Sequence, residues 1–133
     1  LLALQLGAQT LPRLGRAGPW SQPELARTYA WLAARPQPAL LASAEHVRDG
    51  WLSGLPNLPL PDAARAADFA AALKARRVRY ILRVDGLDMG LNAEPTSSLR
   101  RSLERAHEHL RDGRLFRKVY ANAAESSEVY EPL

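Results

Sequence analysis

The chain has no cysteine, one methionine, two phenylalanines and, among its 18 basic residues, only two lysines, Lys74 and Lys118. Without cysteine there are no disulfides, no thiolate zinc ligands and no thiol nucleophile, while the compartment stays open. No apolar run approaches the ~20 residues that a membrane-spanning helix needs. The opening Leu1-Leu2-Ala3-Leu4-Gln5-Leu6-Gly7-Ala8 is short, is interrupted by Gln5, and has no basic region before it, so it does not read as a signal peptide. Glycine-rich phosphate loops are missing as well. Gly86 and Gly90 stand alone, without dinucleotide or P-loop spacing, and this argues against nucleotide chemistry.

What is present suits one packed domain. The 133 residues are 47% hydrophobic and 24% charged. The net charge of +4 permits anionic partners such as phosphate head groups. Basic residues are scattered, with doublets only at Arg76-Arg77, Arg100-Arg101 and Arg117-Lys118, which reads as a solvated surface and not as a nucleic-acid face. Residues 1–20 read as a leader loop punctuated by Pro12, Gly15, Gly18 and Pro19. That leader is either the remnant of a membrane span, with Arg13 and Arg16 at its exit, or a short amphipathic lead-in. Residues 21–133 read as a single α/β domain.

Helix and strand signals alternate from Ser21 onward. Ser21-Gln22-Pro23-Glu24 is a capping box, and Leu25, Tyr29 and Leu32 follow on one helical face, giving a helix to about Arg35. Ala39 to Ala44 is a short apolar run that predicts a buried strand, followed by one or two helical turns between Glu45 and Leu52. The prolines from Gly54 to Pro61 force an extended segment with room for one edge strand. Asp62 is expected to cap a second helix with Ala66, Phe69 and Leu73 on its stripe, and Arg76 and Arg77 suit its C-terminus. Val78 to Val84 is the clearest strand, with Val78, Tyr80, Leu82 and Val84 on one face. A third helix runs from Ser97 to Asp112 with Leu99, Leu103, Ala106 and Leu110 as its stripe and Gly113 as its stop. Leu115–Asn122 and Ser127–Glu131 make a terminal hairpin. The predicted fold is therefore a small, mainly parallel sheet with an antiparallel C-terminal hairpin and helices packed on its faces.

Candidate chemistry is sparse. Ligands of open α/β sheets bind beyond the carboxyl ends of the strands, where the Asp85-Gly86-Leu87-Asp88 loop falls. Asp85 and Asp88 are candidates there for a metal or a sugar hydroxyl, although Asp-Gly is also ordinary turn chemistry. His46 and Asp49, three apart, are spaced for an acid–base pair, but Ser43 and Ser53 have no nucleophile-elbow context. His107 and His109 point to different sides of a helix and cannot share a metal; a surface pair of His107 with Glu104 or Glu108 is expected. Among the tryptophans, Trp31 reads as core. Trp51, beside Gly50 and the proline-rich segment, is the candidate sugar-stacking ring, against the competing expectation that it packs under that segment. The ligand-binding candidates are thus Asp85, Asp88, Trp51 and His46. No catalytic residue, metal site or cofactor is assigned.

Three stretches carry a resemblance. Trp51-Leu52-Ser53-Gly54 with Leu58-Pro59-Leu60-Pro61, then Val78-Arg79-Tyr80-Ile81-Leu82, then Leu115 to Asn122 with Val129-Tyr130-Glu131, resemble the C-terminal soluble domain of polytopic membrane glycosyltransferases of the GT-C class, which include protein O-mannosyltransferases and aminoarabinose transferases. The resemblance runs from about Ser21 to the end. It implies an accessory domain on the extracytoplasmic side, attached to the membrane portion of a parent enzyme that moves a sugar from a lipid-linked phosphate donor to a glycan or other acceptor. It also implies that the catalytic carboxylate lies in a loop between early membrane spans of the parent. Two further readings stay open: a free-standing module binding an anionic ligand or a protein partner, and a small metal-dependent hydrolase using Asp85, Asp88 and His46.

Overall fold

In a computed structural model of the chain, residues 25–85 and 97–133 are described. The elements run α1 (Ala26–Ala33), β1 (Leu41–Ser43), α2 (His46–Ser53), β2 (Asn57–Pro59), α3 (Ala66–Ala75), β3 (Tyr80–Val84), α4 (Ser98–Leu110), β4 (Phe116–Asn122), a 3-10 turn (Ala123–Glu125) and β5 (Ser127–Pro132). The five strands form one sheet in the order β2-β1-β3-β5-β4. β1 pairs parallel with both β2 and β3, and the β4–β5 hairpin returns antiparallel beside β3. The predicted mixed α/β sheet with a terminal antiparallel hairpin is what the chain forms.

The alternation along β3 divides the core in two. Tyr80, Leu82 and Val84 pack with Leu25, Tyr29 and Leu32 of the α1 side, while Ile81 packs with Phe69, Leu73, Ala106 and Leu110 of α3 and α4. Successive strand residues point to opposite faces, so β3 is desolvated on both sides and the helices lie on both faces of the sheet. A bulge in β4 between Lys118 and Tyr120 turns Val119 and Tyr120 together toward the α1 face. There Trp31 stacks on Tyr120 at 4.9 Å and meets Tyr80 edge-on at 5.8 Å.

Helix ends show where local pattern and tertiary structure part. Ser97, where the helix is expected to start, caps α4 by accepting from the N–H groups of Leu99 and Arg100. Asp62 does not cap α3, which begins after Arg65 without a side-chain cap; Asp62 instead accepts from Arg105 Nη2 at 2.8 Å. The Ser21 capping box lies outside the described residues. The first-turn N–H groups of Arg27 and Thr28 are met by Glu125, which accepts both at 2.9 Å from the far end of the sheet. Gly113 is not the left-handed stop of α4, because that helix closes on Arg111 in right-handed geometry.

Two stripe assignments are also corrected. Leu99 shares the face of Leu103, Ala106 and Leu110 but is 70% exposed, since no described element covers the first turn of α4. Val78 packs on the α3 side and not with Tyr80. The reason lies at the end of α3, where Arg77 takes φ 61°, its N–H reaches the Lys74 carbonyl, and the Val78 N–H reaches the Leu73 carbonyl. This is a Schellman closure, which folds the next residue back onto the helix. Val78 thus belongs to the helix end and the strand proper starts at Tyr80.

Candidate functional site

The densest polar cluster sits where β3 ends. Pairing Arg83 with Glu128 across β3 and β5 puts both side chains on the α4 face, next to Tyr130 and, from β4, Lys118. Arg83 grips Asp85 through two nitrogens, Nε at 2.7 Å and Nη2 at 3.2 Å. Glu128 accepts from Tyr130 Oη at 2.6 Å and from Lys118 Nζ at 2.7 Å, with Arg83 Nη1 at 3.7 Å. An open groove of about 430 Å³ lies over these groups, with Arg83, Arg111, Lys118, Glu128 and Tyr130 on its polar side and Phe116 on its apolar side.

These charges are fixed at neutral pH. Burial pushes the Glu128 carboxyl up, but the hydrogen bonds from Lys118 and Tyr130 outweigh it and hold the group below the usual carboxylate range. Burial and the bond to Glu128 push the Tyr130 phenol up to about 12. Burial works against the Arg83 cation, yet Asp85 raises its pKa overall. None of the three gives or takes a proton near pH 7, so the cluster is suited to holding polar or charged groups and not to acid–base chemistry.

His107 lies beside this cluster, and pattern alone misassigned it. It is 5% exposed, not a surface partner of Glu104 or Glu108. Its Nδ1 stands 3.6 Å from Asp85 Oδ1, too far for a hydrogen bond, and neither ring nitrogen has a hydrogen-bond partner. Burial, assisted by the Arg83 cation, pushes its pKa down to about 4. It is therefore a neutral core imidazole. His109 points elsewhere, its Nε2 2.8 Å from the Ala63 carbonyl.

The candidate residues do not converge. Asp85 stands at the carboxyl end of β3, half exposed and engaged by Arg83; Asp88 lies outside the described residues. His46 opens α2, half-buried. It does not pair with Asp49, which is buried and accepts from Tyr29 Oη at 2.7 Å and Arg48 Nε at 2.9 Å. Burial and the adjacent Asp49 charge push the Tyr29 phenol far above its ordinary value. The partners Tyr29 and Asp49 sit on different helices, so no local spacing reveals them. Trp51 does not pack under the proline-rich segment. It is 79% exposed, one turn from the exposed Val47. Among the described residues no group of three or more His, Asp and Glu is placed to hold a metal, and no helix is long and apolar enough to cross a membrane.

No family model and no curated protein matches this chain. Among solved structures, it is similar to the crystal structure of the C-terminal globular domain of an oligosaccharyltransferase from Archaeoglobus fulgidus. The TM-score is 0.45 and the identity 12%, over 83% of this chain and 97% of that one. A likeness of this size transfers no residue role.

Proposed function

We propose that this chain is an accessory extracytoplasmic domain of a membrane glycosyltransferase that transfers a sugar from a lipid-linked phosphate donor, with the catalytic carboxylate elsewhere in the parent. The observation that carries this reading is how the resembling stretches assemble. Trp51–Gly54 ends α2, Leu58 and Pro59 lie in edge strand β2, Tyr80–Leu82 lie in the central strand, and Phe116–Asn122 pairs with Val129–Glu131 in the hairpin, all within one sheet and its helical cover. In this reading the solvent-facing Trp51 offers a flat apolar face to a sugar ring. Asp85, Asp88 and His46, at or beyond the carboxyl ends of β1 and β3, contact hydroxyls of the glycan.

Membrane topology of the parent chain tests the reading. Alkaline phosphatase fused after Leu133 in the full reading frame is expected to be active, and a fluorescent protein at the same point dark. A parent frame without apolar spans, or a bright fluorescent fusion with silent phosphatase, would refute it. Trp51→Ala in the full-length enzyme is expected to weaken acceptor use while leaving the thermal midpoint unchanged.

A further inference from the structure

The opposite end of the sheet carries a different arrangement. Lys74 in the last turn of α3 and Arg76, Arg77 and Arg79 in the connection to β3 are all exposed. None has a carboxylate within ion-pair distance among the described residues, and the Arg79 guanidinium rests 5.6 Å from the centre of the Tyr80 ring. Lys74, Arg77 and Arg79 line an open groove of about 340 Å³ together with Val78, Pro132 and Leu133. Glu131 also borders it, but its carboxylate accepts from Arg117 Nε at 2.7 Å. Leu133, 50% exposed, gives the basic groove an apolar lip.

The backbone points the same way. Arg77 occupies the left-handed position of the Schellman closure at φ 61°, where glycine is the unstrained residue. A strained arginine at that position holds its guanidinium at the groove mouth at some cost in stability, and such local violations of a backbone rule are where function is found. The negative end of the α3 dipole amounts to about half a charge, so four cations exceed what it can neutralise.

We propose that this end of the sheet docks on the surface of an anionic bilayer, with lipid phosphates at Lys74, Arg76, Arg77 and Arg79 and with Leu133 at the acyl boundary. Clustered basic residues next to an apolar side chain match a head-group layer. Among the described residues no exposed aromatic ring joins them to stack a base, which disfavours single-stranded nucleic acid. The inference stands on this surface alone and does not depend on the glycosyltransferase reading.

The test is co-sedimentation of the 133-residue chain with vesicles of phosphatidylcholine, with and without phosphatidylglycerol. Binding is expected only with phosphatidylglycerol and is expected to fall steeply between 0.05 and 0.5 M salt, as the Debye length shrinks from about 14 Å to about 4 Å. Lys74→Gln and Arg79→Gln should each weaken it about fivefold. Arg77→Gly should weaken it about as much while raising the unfolding midpoint, so that lost binding cannot be blamed on lost fold. Arg65→Gln, removing the same charge at the other end of α3, should leave binding unchanged. The proposal is overturned if Arg65→Gln weakens binding as much as Arg77→Gly, if uncharged vesicles bind equally, if no vesicle binds, or if duplex DNA or free glycerol phosphate binds as tightly as the vesicles.

Discussion

Arg79 and Arg83 flank and occupy the same strand, β3, four positions apart, and they live in different electrostatic worlds. Arg83 is mostly covered, held by Asp85 through two hydrogen bonds and faced by Glu128. Arg79 is exposed among three other cations and has no carboxylate partner among the described residues. The difference follows from the hairpin. β5 runs antiparallel to β3, so its acidic Glu128 lands beside Arg83, whereas the end of β5 that reaches toward Arg79 brings Pro132 and Leu133. One end of the sheet is thereby neutralised from within and the other is left to bind from outside. A partly covered cation held by two carboxylates costs more to lose than a solvated one, which contributes little to stability.

That contrast can be broken at several points. The largest expected effect is pH dependence at the paired end. His107 has a pKa of about 4 in the fold against an ordinary 6.5. The unfolded chain therefore binds its proton first as pH falls. Stability from this group is full above pH 6.5, declines through the window from 6.5 to 4, and is flat below it. The decline amounts to roughly 3 kcal/mol. Urea unfolding across this range should show a decline smaller by about that amount in His107→Leu than in the wild type, because an apolar group has nothing to protonate while carboxylates such as Glu125 and Glu128 still titrate in both. Equal declines in the two would place His107 in water.

Next in size is Arg83→Met, which leaves Asp85 without its bidentate partner and Glu128 with one cation fewer. Because Asp85 is half exposed and water can take over from Arg83, a loss of about 1 kcal/mol in chemical denaturation is expected. The His107 titration should move upward at the same time, since Arg83 is one of the groups pushing it down. Arg79→Met is expected to change stability by less than about 0.5 kcal/mol. Equal losses for the two substitutions would erase the distinction between the ends. Arg77→Gly should change stability in the opposite direction, gaining about 1 kcal/mol by relieving left-handed strain, with the thermal midpoint as readout. The smallest effect is Lys74→Gln, a few tenths of a kcal/mol at most in low salt, vanishing as salt screens the neighbouring cations.

How far the site was legible varies residue by residue. The Phe69 and Leu73 stripe and the β3 alternation from Tyr80 onward follow from spacing, because helix and strand periods are properties of the local chain. Val78 broke that alternation, since a helix closure at Arg77 outranks strand continuity and periodicity does not register φ. Asp62 read as a cap because acidic residues before helices usually are; Arg105, 43 residues away, claimed it. Glu125 had no capping signature at all, yet it closes the N-terminus of α1. Burial pushes its carboxyl up, but the bonds from Thr28 and the backbone of Arg27 and Thr28 outweigh that and hold it below the ordinary range. His107 looked like a surface residue because Glu104 and Glu108 flank it, but its ring falls on the same stripe as Leu103 and Leu110. Trp51 reads from the sequence as a stacking ring or as packed under the proline-rich segment; it lies on the solvent face of α2 with Val47, four residues before it, while Leu52 and Ser53 of the same turn face inward.

The sequence by itself determined the order of helices and strands, the mixed sheet with its closing hairpin, and the alternation of β3 from Tyr80 onward. Those features need only local periods, turn residues and apolar content, all carried by neighbours in the chain. Tertiary structure decided how the charges are settled: Asp49 is paired with Arg48 and hydrogen-bonded by Tyr29, Arg83 is held by Asp85 and faced by Glu128, and Lys74, Arg77 and Arg79 have no carboxylate partner among the described residues. Arg48–Asp49 and Arg83–Asp85 are neighbours along the chain, whereas Tyr29–Asp49 and Arg83–Glu128 meet only through helix docking and strand register, because electrostatic pairing acts over a few ångströms of space that sequence distance does not report.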